Sequence, residues 1–327
     1  MIVRVTRGAL TESEHEVAAC VADAGGAVVF ATGDVERPVF LRSSAKPFIA
    51  AAVVASGAAE RFGFDDRELA VACASHNGEA FHVAAVRSML AKAGLDESAL
   101  RCGAHPPSYE PAADALARAG ERPAAVHNNC SGKHAAILAM CAHLGFDLAG
   151  YRDPAHPAQR RILALCARLA DTTAGALPLA IDGCGIPVYA VSLRAAARSF
   201  ARFARPAGEE PEDARALERV AAAMRAEPLY VAGTSRFDSA LVAATGGRVL
   251  GKAGAEGVHG DAFAREGLGL VLKVADGARR AAAPAALAIA GRLGLLARDE
   301  IERLAEFASP DVRNVNGMAV GRVEAVV

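Results

Sequence analysis

The chain has 327 residues, 53% of them hydrophobic, with 36 lysines and arginines against 37 aspartates and glutamates for a formal net charge of −1. That apolar content is enough for a large core in one big domain or two smaller ones, and a single catalytic domain over 1–327 is the simpler expectation. The balanced charge, without a basic run, lacks the attraction that nucleic acid or an anionic membrane requires, so the expected partner is a small-molecule substrate.

The opening stretch "MIVRVTRGALTESEHE" has no apolar signal core, and later apolar stretches are broken by charges or glycines. A soluble protein that stays in the cytoplasm is expected. "MIVRVT", "HEVAACVAD" and "GAVVFATGD" read as strands of an antiparallel sheet, separated by Gly and Asp turns. From about 45 to 230 the pattern turns mainly helical, as in "PFIAAAVVASGAA", "AFHVAAVRSMLAKAG", "SGKHAAILAMCAHLG" and "DPAHPAQRRILALCARLAD". Gly94 and Gly145 sit where C-terminal caps belong, and Asp153-Pro154 reads as an N-cap with its first-turn proline. "RPAGEEPEDA" reads as an exposed loop before a helix. Two more strands, "GGRVLGKAG" and "LGLVLKVADG", precede the helical "APAALAIAGRLGLLA". The fold class is therefore α/β (α+β): N- and C-terminal strands join in one antiparallel sheet packed with helices, around a mainly helical middle.

"LRSSAKPFIA" places Ser43 and Lys46 one turn apart at the mouth of an apolar helix, with Pro47 still in the first turn. A serine hydroxyl attacks poorly until a base removes its proton, and a lysine serves as that base when burial or neighbouring cations lower its pKa. The helix N-terminus also offers backbone N–H groups to an oxyanion. The plainer role is a Ser43 or Ser44 cap with Lys46 reaching water. Two later stretches add to the pattern: Ser75-His76-Asn77 after an apolar run, and Lys252-Ala253-Gly254 at a strand end. In chain order the three match the S-x-x-K, S-x-N, K-x-G triplet of penicillin-recognising serine hydrolases. Ser75 would relay a proton to the leaving group and Asn77 orient lysine or substrate. Lys252 would draw in an anionic group, and Gly254 allow close backbone approach. The plainer reading makes "SHNG" a strand-to-helix turn.

Seven cysteines, an odd number scattered along the chain, argue for reduced thiols over a disulfide framework. Cys130 stands at i,i+3 from Lys133 and i,i+4 from His134, while "LAIDGCGIP" offers Asp182 and Cys184 in a glycine-rich bend after a strand. Plain packing and a zinc site both fit, and His134 or Asp182 is the natural third ligand beside two cysteines.

Together, "LRSSAKPF", "CASHNGE", "NNCSGKHAAIL", "IDGCGIP" and "GKAGAEGV" resemble the asparaginase II family, the Rhizobium-etli-type L-asparaginases, over essentially the whole chain. The resemblance implies a serine β-lactamase-like fold and hydrolysis of L-asparagine to L-aspartate and ammonia. It implies Ser43 as nucleophile, Lys46 as its base, and Ser75 and Lys252 completing the catalytic group. It further implies zinc held by Cys130, Lys133 and Cys184, with Asp182 close by, and a homodimer. Lysine thus displaces His134 from the ligand set. For the substrate's α-carboxylate, Arg236 in "GTSRFDS" offers a guanidinium fork, although a surface salt bridge is its plainer use. Rival functions are a glutaminase or a β-lactam or peptide hydrolase with the same apparatus, and a non-catalytic zinc-dependent ligand-binding protein.

Overall fold

The structure is a computed structural model that describes residues 1–326. Its strands are β1 (Ile2–Arg7), β2 (Leu10–Asp23), β3 (Val28–Thr32), β4 (Pro38–Phe40), β5 (Leu179–Ile181), β6 (Pro187–Ser192), β7 (Val249–Ala253), β8 (Val258–Phe263), β9 (Leu268–Val274), β10 (Asp311–Arg313) and β11 (Ala319–Val326). The first helices are α1 (Lys46–Ala55), α2 (Ala58–Arg61), α3 (Asp66–Cys73), α4 (Ala80–Lys92), α5 (Glu110–Arg118), α6 (Ser131–Leu144) and α7 (Pro157–Leu169). The remainder are α8 (Leu193–Ala204), α9 (Pro211–Ala226), α10 (Pro228–Val231), α11 (Phe237–Ala244), α12 (Ala282–Arg292), α13 (Arg298–Arg303) and α14 (Ala305–Ala308). The chain divides into two compact units: Met1–Ser44 with Ala190–Arg205 and Ala240–Val327, and Ala45–Tyr189 with Pro206–Ser239.

The first unit is built on an antiparallel sheet of order β10-β11-β1-β2-β9-β8-β7, with β3 also on β2. The expected joining of chain ends holds, because β1 pairs with β11 and β2 with β9. Alternation along β1 buries Val3 and Val5. By contrast β8 and β9 are buried almost throughout, since α8 and α12 both pack on them. Two glycines permit the approach of α8. A Cβ at Gly269 would lie 2.0 Å from the Ala197 carbonyl oxygen, and one at Gly260 would lie 2.4 Å from the Phe200 ring.

The second unit is helical around α6, which α1, α2, α3, α4 and α7 surround. Buried from Ser131 to Cys141, α6 is a helix covered on all sides, and its Lys133 and His134 must find partners inside. Gly145 caps its end with φ 67°, and Gly94, at φ 71°, follows α4 in the same left-handed conformation. Two local expectations are corrected. Helix α7 begins at Pro157 behind the cap of His156, while the Asp153 carboxylate closes a separate turn by accepting from the Ala155 amide. The "SHNG" stretch follows helix α3, whose end at Ala74 turns extended, and not a strand. No helix among the described residues is long and apolar enough to cross a membrane.

Candidate active site

Of the residues singled out in the sequence, Ser43, Ser44, Lys252 and Gly254 belong to the first unit. Lys46, Ser75, Asn77, Cys130, Lys133, Asp182, Cys184 and Arg236 belong to the second.

In the first unit the chain leaves β4 through Leu41 and tightens into a 3-10 turn, Arg42–Ala45, that runs directly into α1. Arg42 takes a left-handed φ of 52°, a strained conformation for a side chain with a Cβ, immediately before the serine pair. The two serines then differ. Ser44 is fully buried and its hydroxyl donates to the Leu41 carbonyl at 2.7 Å, whereas Ser43 is only half-buried. Gly254 follows β7, and a Cβ there would stand 2.7 Å from the Leu41 oxygen and 3.4 Å from the Ser44 nitrogen. Glycine is therefore what lets the end of β7 abut the turn that carries the serines. Lys252 is fully buried on β7 and donates to the Ala253 carbonyl at 2.8 Å.

In the second unit Lys46 opens α1 with only 1% of its surface exposed. Its Nζ donates to the carbonyls of Ala74 at 2.5 Å and Asn129 at 3.3 Å, and lies 3.0 Å from Ser75 Oγ. Burial is the main influence on this amine, ahead of the opposing sulphur of Cys130 and the nearby charge of Lys133, and it lowers the pKa below the usual lysine range. An ammonium has a proton for each of the three oxygens. After losing one, the amine still serves both carbonyls and has a lone pair that can accept a proton.

Next to it lies a sulphur pair. Cys130 caps α6, its own amide held by Asn128 Oδ1 at 2.8 Å, and Cys184 stands in the bend after β5. A hydrogen bond joins the two side chains. It is the first cause of a strongly lowered Cys130 pKa, with Lys133 and Lys46 adding to it, and the first cause of a raised Cys184 pKa. Lys133 Nζ donates to Cys184 Sγ at 3.0 Å, and although burial opposes its charge, the two sulphurs outweigh burial and raise its pKa. The other five cysteines are all buried, and burial raises Cys20 and Cys102 to about 11 and Cys141 and Cys166 to about 12.

No three His, Cys, Asp or Glu side chains among the described residues gather as a metal site. Of the two other ligands the sequence offered, His134 Nδ1 lies 2.6 Å from the Tyr151 hydroxyl, and the Asp182 carboxylate accepts from the Gly183 amide at 2.8 Å. Two sulphurs and the Lys133 amine do meet, and such a nitrogen and thiolate set suits zinc once the lysine gives up its proton.

Asn77 and Arg236 also come together, Arg236 Nη1 donating to Asn77 Oδ1 at 2.9 Å and to the Ser75 carbonyl at 3.4 Å. Beneath them lies a group the sequence reading missed, Glu79 with Thr234, joined at 2.8 and 2.9 Å. The only signal for it was an acidic residue closing the "SHNGE" stretch just ahead of an apolar helix.

The model of the family described as L-asparaginase II matches residues 3–325. The chain belongs to this family. The asparaginase II family member is accordingly an amidohydrolase of the asparaginase type acting on a small amide. Among solved structures it is similar to a β-lactamase from Mycobacterium bovis, at 16% identity and a TM-score of 0.40, over 89% of this chain and 95% of that one. No curated protein matches it.

Proposed function

We propose that this asparaginase II family member is an L-asparaginase, converting L-asparagine to L-aspartate and ammonia through an acyl-enzyme on Ser43. The observation that carries the reading is the buried Lys46 amine, lowered in pKa and hydrogen-bonded to the Ser75 hydroxyl, one helical turn along the chain from a half-buried serine. Ser43 Oγ attacks the side-chain amide carbon of asparagine and gives its proton to Lys46 Nζ. Backbone N–H groups at the Ser43 turn and the end of β7 hold the oxyanion. The tetrahedral adduct breaks its C–N bond, and the leaving NH2 takes the proton from Lys46 through Ser75 and departs as ammonia. Water then adds to the β-aspartyl ester, returns the Ser43 hydroxyl and leaves aspartate. Lys252 contributes positive charge that favours the anionic adduct.

For the substrate's own charges we assign Arg236 to the α-carboxylate, with Asp182 taking the α-amine, Gly254 leaving room for the backbone approach and Asn77 holding Arg236 in place. Cys130, Lys133 and Cys184 would hold zinc, which when bound supplies a fixed positive charge beside the amide site. The enzyme works as a cytoplasmic homodimer without nucleic acid or membrane.

The test is ammonia release from L-asparagine by the wild type and by Ser43→Ala, side by side. An active wild type and a folded, inactive Ser43→Ala are expected. An inactive wild type moves the search to glutamine and other amides, because one methylene changes binding by only ~1–3 kcal/mol. Full activity in Ser43→Ala would remove Ser43 as nucleophile.

A further inference from the structure

Glu79 is a buried carboxylate, 8% exposed, with both oxygens engaged. Oε1 accepts from the Thr234 amide at 2.9 Å and from Asn77 Nδ2 at 3.3 Å, and Oε2 accepts from the Thr234 hydroxyl at 2.8 Å. Around it the irregular segment 232–236 lies over the turn 75–79. The Asn77 amide donates to the Ala232 carbonyl at 3.0 Å and Asn77 Nδ2 to the Thr234 carbonyl at 2.9 Å. Arg236 reaches back to Asn77 Oδ1 and the Ser75 carbonyl. The fit is close enough to exclude a side chain at Gly233, φ 121°, where a Cβ would stand 2.5 Å from Glu79 Oε1 and 2.7 Å from Asn77 Nδ2. Ser235, at φ 57°, accepts backbone strain to complete the strap.

Ser75 itself lies between α3 and α4, outside any helix or sheet ladder. Its hydroxyl meets Lys46 and its carbonyl meets Arg236, so the strap fixes one side of the residue while the amine engages the other. A buried carboxylate is expensive unless its hydrogen bonds are complete, and here they are spent on holding this strap in place. We propose that Glu79 is a positioning residue for Ser75, acting through Thr234, Asn77 and Arg236 to hold the Ser75 hydroxyl in line with the Lys46 amine. The proposal rests on the reading of Ser75 as the proton relay.

Glu79→Ala strips acceptors from two Thr234 donors and one Asn77 donor and frees the strap. Steady-state ammonia release from asparagine, with thermal unfolding in parallel, tests it. If the strap acts on Ser75, kcat should fall roughly tenfold to a hundredfold, more than any rise in KM that comes from loosening Arg236. Glu79→Gln keeps an acceptor for the Thr234 amide and a donor that the Thr234 hydroxyl can accept, and should restore most of the loss. Thr234→Val removes a single bond and carries the test if Glu79→Ala fails to fold; it should lower kcat less, again by more than it raises KM. An unchanged kcat in these variants overturns the proposal, and so does a rise in KM alone, which would place the effect on substrate through Arg236. A wild type inactive on asparagine and glutamine overturns the relay reading and this one together. An active wild type indifferent to Glu79 overturns only this one.

Discussion

Two adjacent serines differ in what their hydroxyls are free to do. Ser44 Oγ is buried and committed to the Leu41 carbonyl, so Ser44→Ala should keep the wild-type rate of ammonia release and lose about 1 kcal/mol of stability in urea unfolding. Loss of turnover in a Ser44→Ala protein of normal stability would transfer the nucleophile's role to Ser44. At the sulphur pair, Cys184→Ser should lower the zinc content of the purified, zinc-loaded protein and slow turnover less than Ser43→Ala does. Full zinc occupancy by metal analysis would take Cys184 off the ligand set. The residue types at this site were legible in the sequence where the spacing is local, as in Ser43-x-x-Lys46. The surroundings that bury Lys46 were not, because the Ala74 and Asn129 carbonyls it meets and the Lys133 charge that helps lower its pKa come from distant segments and no short-range pattern encodes their meeting. The pairing of Cys130 with Cys184, lacking any C-x-x-C, is another product of the tertiary fold.

Among elements, strand β1, which alternates, and those ending in glycine turns, β7 and β9, could be read from the sequence because period and punctuation agree. Strand β8, "VHGDAF", could not. Its glycine, histidine and aspartate contradict strand propensity, and they are accommodated because Gly260 clears α8 while His259 Nε2 pairs with Asp261 Oδ1 at 2.6 Å inside the unit. The start of α7 was misplaced for a similar reason: Asp153 and His156 each satisfy a nearby amide with their side chains, and both look like caps in the sequence. The docking of α8 makes a prediction at this scale. In Gly269→Ala the new methyl group meets backbone at Ala197 and Ala201, neither of which can rotate away, so α8 must lift from β9. Urea unfolding should show a loss of at least ~2 kcal/mol. A loss below a few tenths would mean that the helix shifts along the sheet without breaking its packing.

Stability of the whole molecule is tied to pH through histidines that fold uncharged. Burial lowers His82 from 6.5 to about 4, opposed by the Leu229 carbonyl that its Nε2 meets and by Glu79, and reinforced by Arg236. His76, stacked on it at 5.1 Å, is lowered by burial first, then by His82, Lys46, His105 and His127. Above pH 6.5 neither the folded nor the unfolded form binds a proton at His82, and stability is indifferent to it. As pH falls below 6.5 the unfolded chain takes up a proton that the folded one refuses until about 4, so stability declines across that window and levels off beneath it. For His82 the decline is on the order of 3 kcal/mol, and His76 adds to it in the same direction. His82→Gln keeps a donor for the Leu229 carbonyl and cannot titrate. Urea unfolding at pH 7.5, 6.5, 5.5 and 4.5 should therefore show a shallower fall for His82→Gln than for wild type, with the curves diverging only below 6.5. Parallel curves would mean that His82 is protonated alike in both states, and the acid sensitivity would then rest on the carboxylates.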